Sequence, residues 1–197
     1  MPVVLKKQLN ASVSICLWQI QETEAFFLEK YTLDLQDLEN IISCKLESRR
    51  LEKWACRAAL ADLTGDKRVT ISYSENGQPL SDKGFISFSH SKEFVLVAIS
   101  NHPVGADIEK ITPRILKLKH KFMNESELKQ IDPENPEDIT FFWSAKEAMF
   151  KLYEKGNLDF CDDMEVIKSE SIATINATQK VTIHSLIFEN YMIVIAF

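Results

Sequence analysis

Two short stretches hold the side chains best suited to phosphate chemistry. In Val104-Gly105-Ala106-Asp107-Ile108-Glu109-Lys110 an extended chain puts Asp107 and Glu109 on one face, with Ile108 on the opposite one. Paired carboxylates repel, and a hard cation such as Mg2+ removes that cost, because it prefers oxygen ligands and keeps positions open for phosphate and water. The plainer reading of an isolated Asp-x-Glu is a solvated strand end. Gly105 leaves room there for close approach of a backbone or a ligand. In Trp143-Ser144-Ala145-Lys146-Glu147-Ala148-Met149-Phe150-Lys151, Glu147 and Lys151 stand four residues apart on one helix face. As a surface ion pair they would contribute only a few tenths of a kcal/mol. Trp143, Ala148, Met149 and Phe150 make this helix apolar on more than one side, so Lys146, Glu147 and Lys151 should emerge into a packed or partly covered place. A third carboxylate beside two cations suits a metal-bound pyrophosphate.

Two further groups are weaker. Ser89-His90-Ser91 falls at the rim of a predicted hairpin, where a histidine is ordinarily a polar turn residue. Arg50 and Arg57, seven residues or about two helical turns apart, share a helix face, with Arg49 beside them. Such a row could hold a phosphate, or form a solvated face balanced by Glu47 and Glu52. The chain has five glycines and contains no Walker A loop, GxGxxG, GxSxG or HExxH. Its chemistry must rest on carboxylates, lysines and a histidine.

Period-2 alternation over Ser12 to Ile20, with Val13, Ile15 and Leu17 apolar, predicts a half-buried strand. Leu46 to Leu63 predicts a helix stopped by Thr64-Gly65-Asp66, and Asn76-Gly77-Gln78-Pro79 a turn. Phe85 to Phe88 and Phe94 to Ile99 predict a hairpin closed by the polar Ser89 to Glu93. Asn101-His102-Pro103 breaks the chain near its midpoint, and Val104 to Ile108 predicts another strand. Asn124 to Glu127 carries a helix cap and first turn, and Asp132 to Asp138 an acidic loop. Phe141 to Tyr153 predicts a helix stopping at Gly156-Asn157, and Val181 to Phe197 returns to strands around a turn at Glu189-Asn190.

The order helix, turn, hairpin therefore occurs twice. Trp54-Ala55-Cys56-Arg57-Ala58-Ala59 resembles Trp143-Ser144-Ala145-Lys146-Glu147-Ala148, and Glu93-Phe94-Val95-Leu96-Val97-Ala98 resembles Asn190-Tyr191-Met192-Ile193-Val194-Ile195. Two matches in one order favour duplicated lobes. The expected fold is α+β, with a lobe over 1–102 and a second over 103–197, each a small, mostly antiparallel sheet packed against a long helix. The default place for a ligand is then a cleft between them.

Composition agrees with a folded protein. The 197 residues are 45% hydrophobic and include 12 phenylalanines, enough to bury a core. A formal net charge of −6 argues against nucleic acid as a partner, so any polyanion must be met locally. The four cysteines lack zinc-site spacing, and no segment has the length of a membrane span or the apolar stretch of a signal peptide. Together these features lead to the expectation of a cytoplasmic protein with reduced thiols and no membrane partner.

The chain resembles the 4'-phosphopantetheinyl transferases of the longer type typified by the surfactin synthetase activator. The strongest matches are Gly105-Ala106-Asp107-Ile108-Glu109 and Trp143-Ser144-Ala145-Lys146-Glu147-Ala148 with Lys151. Arg49 with Arg57, Gly77-Gln78-Pro79, Phe85 to Ser91, Phe122 with Glu127, and Gly156-Asn157-Leu158 support them. The resemblance implies two fused α+β lobes with coenzyme A in the cleft, and Mg2+-dependent transfer of phosphopantetheine from coenzyme A to a serine of an apo acyl or peptidyl carrier protein, releasing 3',5'-ADP. It implies Asp107, Glu109 and Glu147 as metal ligands, and Glu147, Lys146 and Lys151 as the catalytic set. Arg49, Arg57, Gln78, Pro79, Ser89, His90, Lys146 and Lys151 would bind coenzyme A. Glu127 matches a position near the site without a defined role. Gln78 stands where the family has a lysine, which predicts weaker discrimination for the 3'-phosphate. The run Lys110 to Lys121, which holds Lys110, Arg114, Lys117, Lys119, His120 and Lys121 and no acidic residue, would steer an acidic carrier, or else form a solvated face. Fused lobes favour a monomer. The alternatives are a coenzyme A or nucleotide-binding module without catalysis, and a Mg2+-dependent phosphohydrolase.

Overall fold

The computed structural model describes residues 2–153 and 158–197. The chain forms two compact units, Met1–Pro103 and Val104–Phe197; the sequence placed the division one residue earlier.

The first unit contains β1 (Val3–Gln8), β2 (Val13–Gln19), α1 (Glu24–Lys30), α2 (Leu35–Ile42), α3 (Glu47–Thr64), β3 (Ser72–Tyr73), β4 (Pro79–Ser81), β5 (Gly84–Ser91) and β6 (Phe94–Ser100). Its strands form one antiparallel sheet in the order β1-β2-β6-β5-β4-β3. α3 runs eighteen residues with no internal Gly or Pro and ends at Gly65, whose φ of +73° lets its N–H reach back to the Ala61 carbonyl. Its Trp54, Ala55, Ala58 and Ala59 pack against Cys16 and Trp18 of β2 and against Val95 and Val97 of β6. β2 is therefore not half-buried as its alternation predicts. Val13, Ile15 and Leu17 are buried, and so are Cys16 and Trp18 on the helix-covered face.

The second unit contains β7 (Gly105–Lys110), a 3-10 helix (Pro113–Lys121), α4 (Glu125–Leu128), α5 (Pro136–Tyr153), β8 (Met164–Ile167), β9 (Ile172–Ile175), β10 (Gln179–Phe188) and β11 (Tyr191–Ala196). The sheet order is β7-β11-β10-β9-β8, again antiparallel. Leaving aside β1, both units share one topology: a strand, a long helix, then four strands of which the last returns to pair with the first. The registers match as well. Tyr191 of β11 faces Lys110 as Phe94 of β6 faces Gln19, which sets Asp107 at the position of Cys16 and Glu109 at that of Trp18. The fold is thus α+β with two antiparallel sheets, each packed on a long helix.

Two expectations shift. Ser89 to Ser91 continue β5, and the chain reverses at Lys92-Glu93, with Lys92 at φ +58°. α5 begins at Pro136, inside the predicted acidic loop. Proline suits a first helical turn because the missing N–H would be unpaired there anyway, and Glu137 and Asp138 complement the helix dipole. The helix stop predicted at Gly156-Asn157 lies outside the described residues. α4 has the expected cap, a capping box in which Asn124 and Glu127 bond each other's backbone N–H groups. Among the described residues no helix is long and apolar enough to cross a membrane.

Candidate functional site

Gly105 explains how β7 and α5 come together. A Cβ on Gly105 would lie 1.8 Å from the Ala148 carbonyl oxygen and 3.0 Å from the Leu152 backbone nitrogen. The room that glycine leaves is therefore filled by the helix backbone, not by a ligand. This contact sets Asp107 of β7 across from Glu147 and Lys151 of α5. Lys151 Nζ donates to Asp107 Oδ1 at 2.9 Å and to the Ala106 carbonyl at 3.0 Å, while its side chain stays 28% exposed. Trp143, one turn before Glu147, donates its indole N–H to Glu109 Oε1 at 3.2 Å. In the sequence Trp143 reads as apolar bulk and as a member of the repeated and family motifs, with nothing to mark this bond to Glu109.

The electrostatics bind these groups into one site. Burial raises the Glu109 carboxyl above its ordinary value, and Asp107 and Glu147 raise it further, against the pull of the Trp143 bond and Lys151. Burial likewise raises Glu147, with Asp107 adding to the effect and Lys151 opposing it. Asp107, Glu109, Glu147 and Lys151, singled out from the sequence, are thus brought together. Among the described residues no three His, Cys, Asp or Glu side chains are gathered as a metal-binding cluster. The chemistry of the donor set nevertheless fits a hard cation: three oxygen-donor carboxylates, two of them held toward the neutral form partly by the third.

Lys146 does not join them. It is fully buried, and Nζ donates to Glu127 Oε2 at 2.7 Å, the Phe160 carbonyl at 2.5 Å and the Met164 carbonyl at 3.1 Å. An ammonium has three donors, and all are used inside the unit. The expectation that Lys146 lines a phosphate path is corrected on that ground. Helix spacing places Lys146 beside Glu147 in sequence but turns it about 100° away around the axis.

Arg57 is corrected for the same reason. Its guanidinium, 1% exposed, makes a two-pronged bond to the equally buried Asp37 and donates to the Lys53 carbonyl at 3.0 Å. Arg50 turns to Glu24 and the Cys44 carbonyl, so no arginine row forms. Arg49 is exposed, and donates to His90 Nε2 and to Glu52 Oε2, each at 2.7 Å. Arg49 and His90 are thereby brought together, with the buried Ser89 next in the strand. Gln78 and Pro79 sit in and after a turn where the Gln78 N–H bonds Ser74 Oγ at 3.1 Å. In the basic run, Lys119 is tied to Glu134 Oε1 at 2.7 Å and to the Pro133 carbonyl. Lys110 lies 5.6 Å from the Tyr191 ring centre, while Arg114, Lys117 and Lys121 are exposed.

The strand carboxylates Asp107 and Glu109 are thus held by Lys151 and Trp143 of α5, the helix that carries Glu147. Residues 103–195 match the family model of the 4'-phosphopantetheinyl transferase superfamily. The chain is 33% identical over 135 residues to the 4'-phosphopantetheinyl transferase gsp of Aneurinibacillus migulanus, covering 64% of this chain and 57% of that protein. It is 38% identical over 97 residues to 4'-phosphopantetheinyl transferase psf-1 of Bacillus pumilus, covering 46% and 42%. It is 31% identical over 96 residues to 4'-phosphopantetheinyl transferase Sfp of Bacillus subtilis (strain 168), covering 45% and 42%. The chain spans about half the length of the curated relatives it matches. The resemblance read from the Gly105 to Glu109 and Trp143 to Lys151 motifs is therefore shown, and both motifs lie inside the matched segment.

Proposed function

We propose that this chain transfers 4'-phosphopantetheine from coenzyme A to a serine hydroxyl of an apo acyl or peptidyl carrier protein, with Mg2+, releasing 3',5'-ADP. One observation carries the reading: α5, which bears Glu147, bonds Asp107 through Lys151 at 2.9 Å and Glu109 through Trp143 at 3.2 Å, all within the superfamily-matched segment.

Asp107, Glu109 and Glu147 would hold the metal, which when bound supplies charge neutralisation at the pyrophosphate. Lys151, partly exposed while tethered to Asp107, is placed to meet a phosphate oxygen. The serine oxygen attacks the β-phosphorus, the bond to the 3',5'-ADP oxygen breaks, and the serine proton passes to Glu147 or a water beside it. A carboxyl pushed upward by burial accepts that proton more readily than an ordinary one. In the first unit, Arg49 and His90, with Ser89, are the candidates for the nucleotide phosphates. Arg114, Lys117 and Lys121 are the proposed contacts to an acidic carrier, with Lys110 beside them. The free cysteines fit a cytoplasmic setting, and two units of one topology in a single chain fit a monomer.

The test is to incubate the protein with apo carrier, coenzyme A and Mg2+, and to weigh the carrier. A gain of one phosphopantetheine supports the proposal, and Glu147→Gln abolishes it. Release of 3',5'-ADP without a heavier carrier shows hydrolysis instead, and binding with neither product shows a binding module. Charge reversal at Arg114 and Lys117 should raise the KM for carrier and leave that for coenzyme A unchanged.

A further inference from the structure

We infer that the buried Lys146–Glu127 pair is a positioning device for the carboxylate site, a role that rests on the reading above. Five hydrogen bonds converge on it. Lys146 Nζ reaches Glu127, Phe160 and Met164; Glu127 Oε1 accepts from the Val166 N–H at 2.9 Å and Oε2 from the Asn124 N–H at 3.0 Å. The residue immediately before Glu147 is therefore tied to the cap of α4, to the segment after 158 and to β8. The middle tie runs on to the site. The Phe160 ring lies 5.8 Å from that of Trp143, and the Trp143 indole N–H holds Glu109. Phe122 packs on the same indole at 5.1 Å, so losing the bond to the Phe160 carbonyl loosens one of the two rings that brace Trp143, and with it the orientation of Glu109.

The first unit carries the same pair without the site. Arg57 follows Trp54 by three residues, as Lys146 follows Trp143. Asp37 is the third residue of α2, as Glu127 is the third of α4, and both pairs are fully buried. At the registers of Asp107 and Glu109 that unit has Cys16 and Trp18, and Ala58 stands in place of Glu147. The shared part of the device holds a long helix to the short helix before it. What differs is the link through Phe160: beyond its two bonds to Asp37, Arg57 donates to the Lys53 carbonyl of its own helix, whereas Lys146 donates twice to the chain that carries the aromatic brace. Burying two opposite charges is costly, and an apolar pair would often hold a helix as well, so fixing one arrangement is the more specific use of such a pair.

The experiment compares Lys146→Met/Glu127→Gln with its counterpart Arg57→Met/Asp37→Asn. The solvent protection of the Trp143 indole N–H is followed by NMR on nitrogen-labelled, metal-free protein, and Mn2+ affinity by electron paramagnetic resonance. The second-unit variant should lose at least tenfold in indole protection and at least tenfold in Mn2+ affinity, and the first-unit variant less than twofold in both while losing thermal stability. Where the second-unit variant does not fold, Phe160→Leu cuts the brace with the ion pair intact and should give the same losses at an unchanged Tm. Unchanged indole protection in either folded variant overturns the proposal. The indole readout needs neither coenzyme A nor carrier, so failure of the transfer assay is separable from failure of this inference.

Discussion

Gly105→Ala tests whether close packing of β7 on α5 builds the site. The added Cβ would meet the Ala148 carbonyl oxygen at 1.8 Å and the Ala148 carbonyl carbon at 2.8 Å. Both are backbone atoms of a helix interior, so no rotamer change can yield. Restoring an ordinary contact of 3.4 Å requires the strand and helix to part by about 1.6 Å at that point. A shift of that size would break the Lys151 bonds to Ala106 and Asp107, now 3.0 and 2.9 Å. Overpacking of this kind costs about 1–3 kcal/mol and more when only backbone can move. At about 3 kcal/mol, a chain of this size loses about 6–12 °C in Tm. Gly77→Ala is the comparison: Gly77 has a φ of +79° but open space around it, so that variant should lose only the left-handed strain of about 1–2 kcal/mol. Thermal unfolding of both, with Mn2+ titration of the folded fraction, is the assay. Gly105→Ala should be the less stable and should bind Mn2+ at least tenfold more weakly. A smaller Tm loss than that of Gly77→Ala, with metal affinity unaltered, would refute the reasoning.

Two further outcomes follow from the same geometry. Glu109 and Glu147 have carboxyls raised by burial and by Asp107, so the folded, metal-free protein holds protons that the unfolded chain releases. Their contribution to stability is full below the ordinary glutamate value and is lost as pH rises through the raised values. Glu147→Gln should accordingly be more stable than the parent at neutral pH in EDTA, with the gap closing toward pH 4, as read by thermal unfolding across pH. In the β9–β10 turn, Ala177 sits at φ +56° after Asn176 at +51°. Ala177→Gly relieves left-handed strain of about 1–2 kcal/mol against an entropic cost of about 0.5–1, a net gain of up to about 1.5 kcal/mol that should raise Tm by up to about 6 °C.

Much of the site was legible because spacing alone fixes which side chains share a face. A strand period of two put Asp107 with Glu109, and a helix period near 3.6 put Glu147 with Lys151; both pairs recur in the structure within one coupled site. The Asn124 to Glu127 capping box was readable for the same reason, since both partners lie within one turn. The duplication was visible as paired motifs and reappears as one strand order in both units. Other features were not readable because their sequence pattern permits two outcomes. A basic residue three after a tryptophan is solvated or buried depending on whether a carboxylate waits in the core. Asp37 lies 20 residues from Arg57 and Glu127 lies 19 from Lys146, distances at which local periodicity carries no information. The sequence by itself determined which residues line each face and which of them could bear charge together. Only the tertiary structure decided what covers each face, because burial and donor pairing are set by elements far apart in the chain: α5 on Gly105, Trp143 on Glu109, and Glu127 on the lysine beside the site.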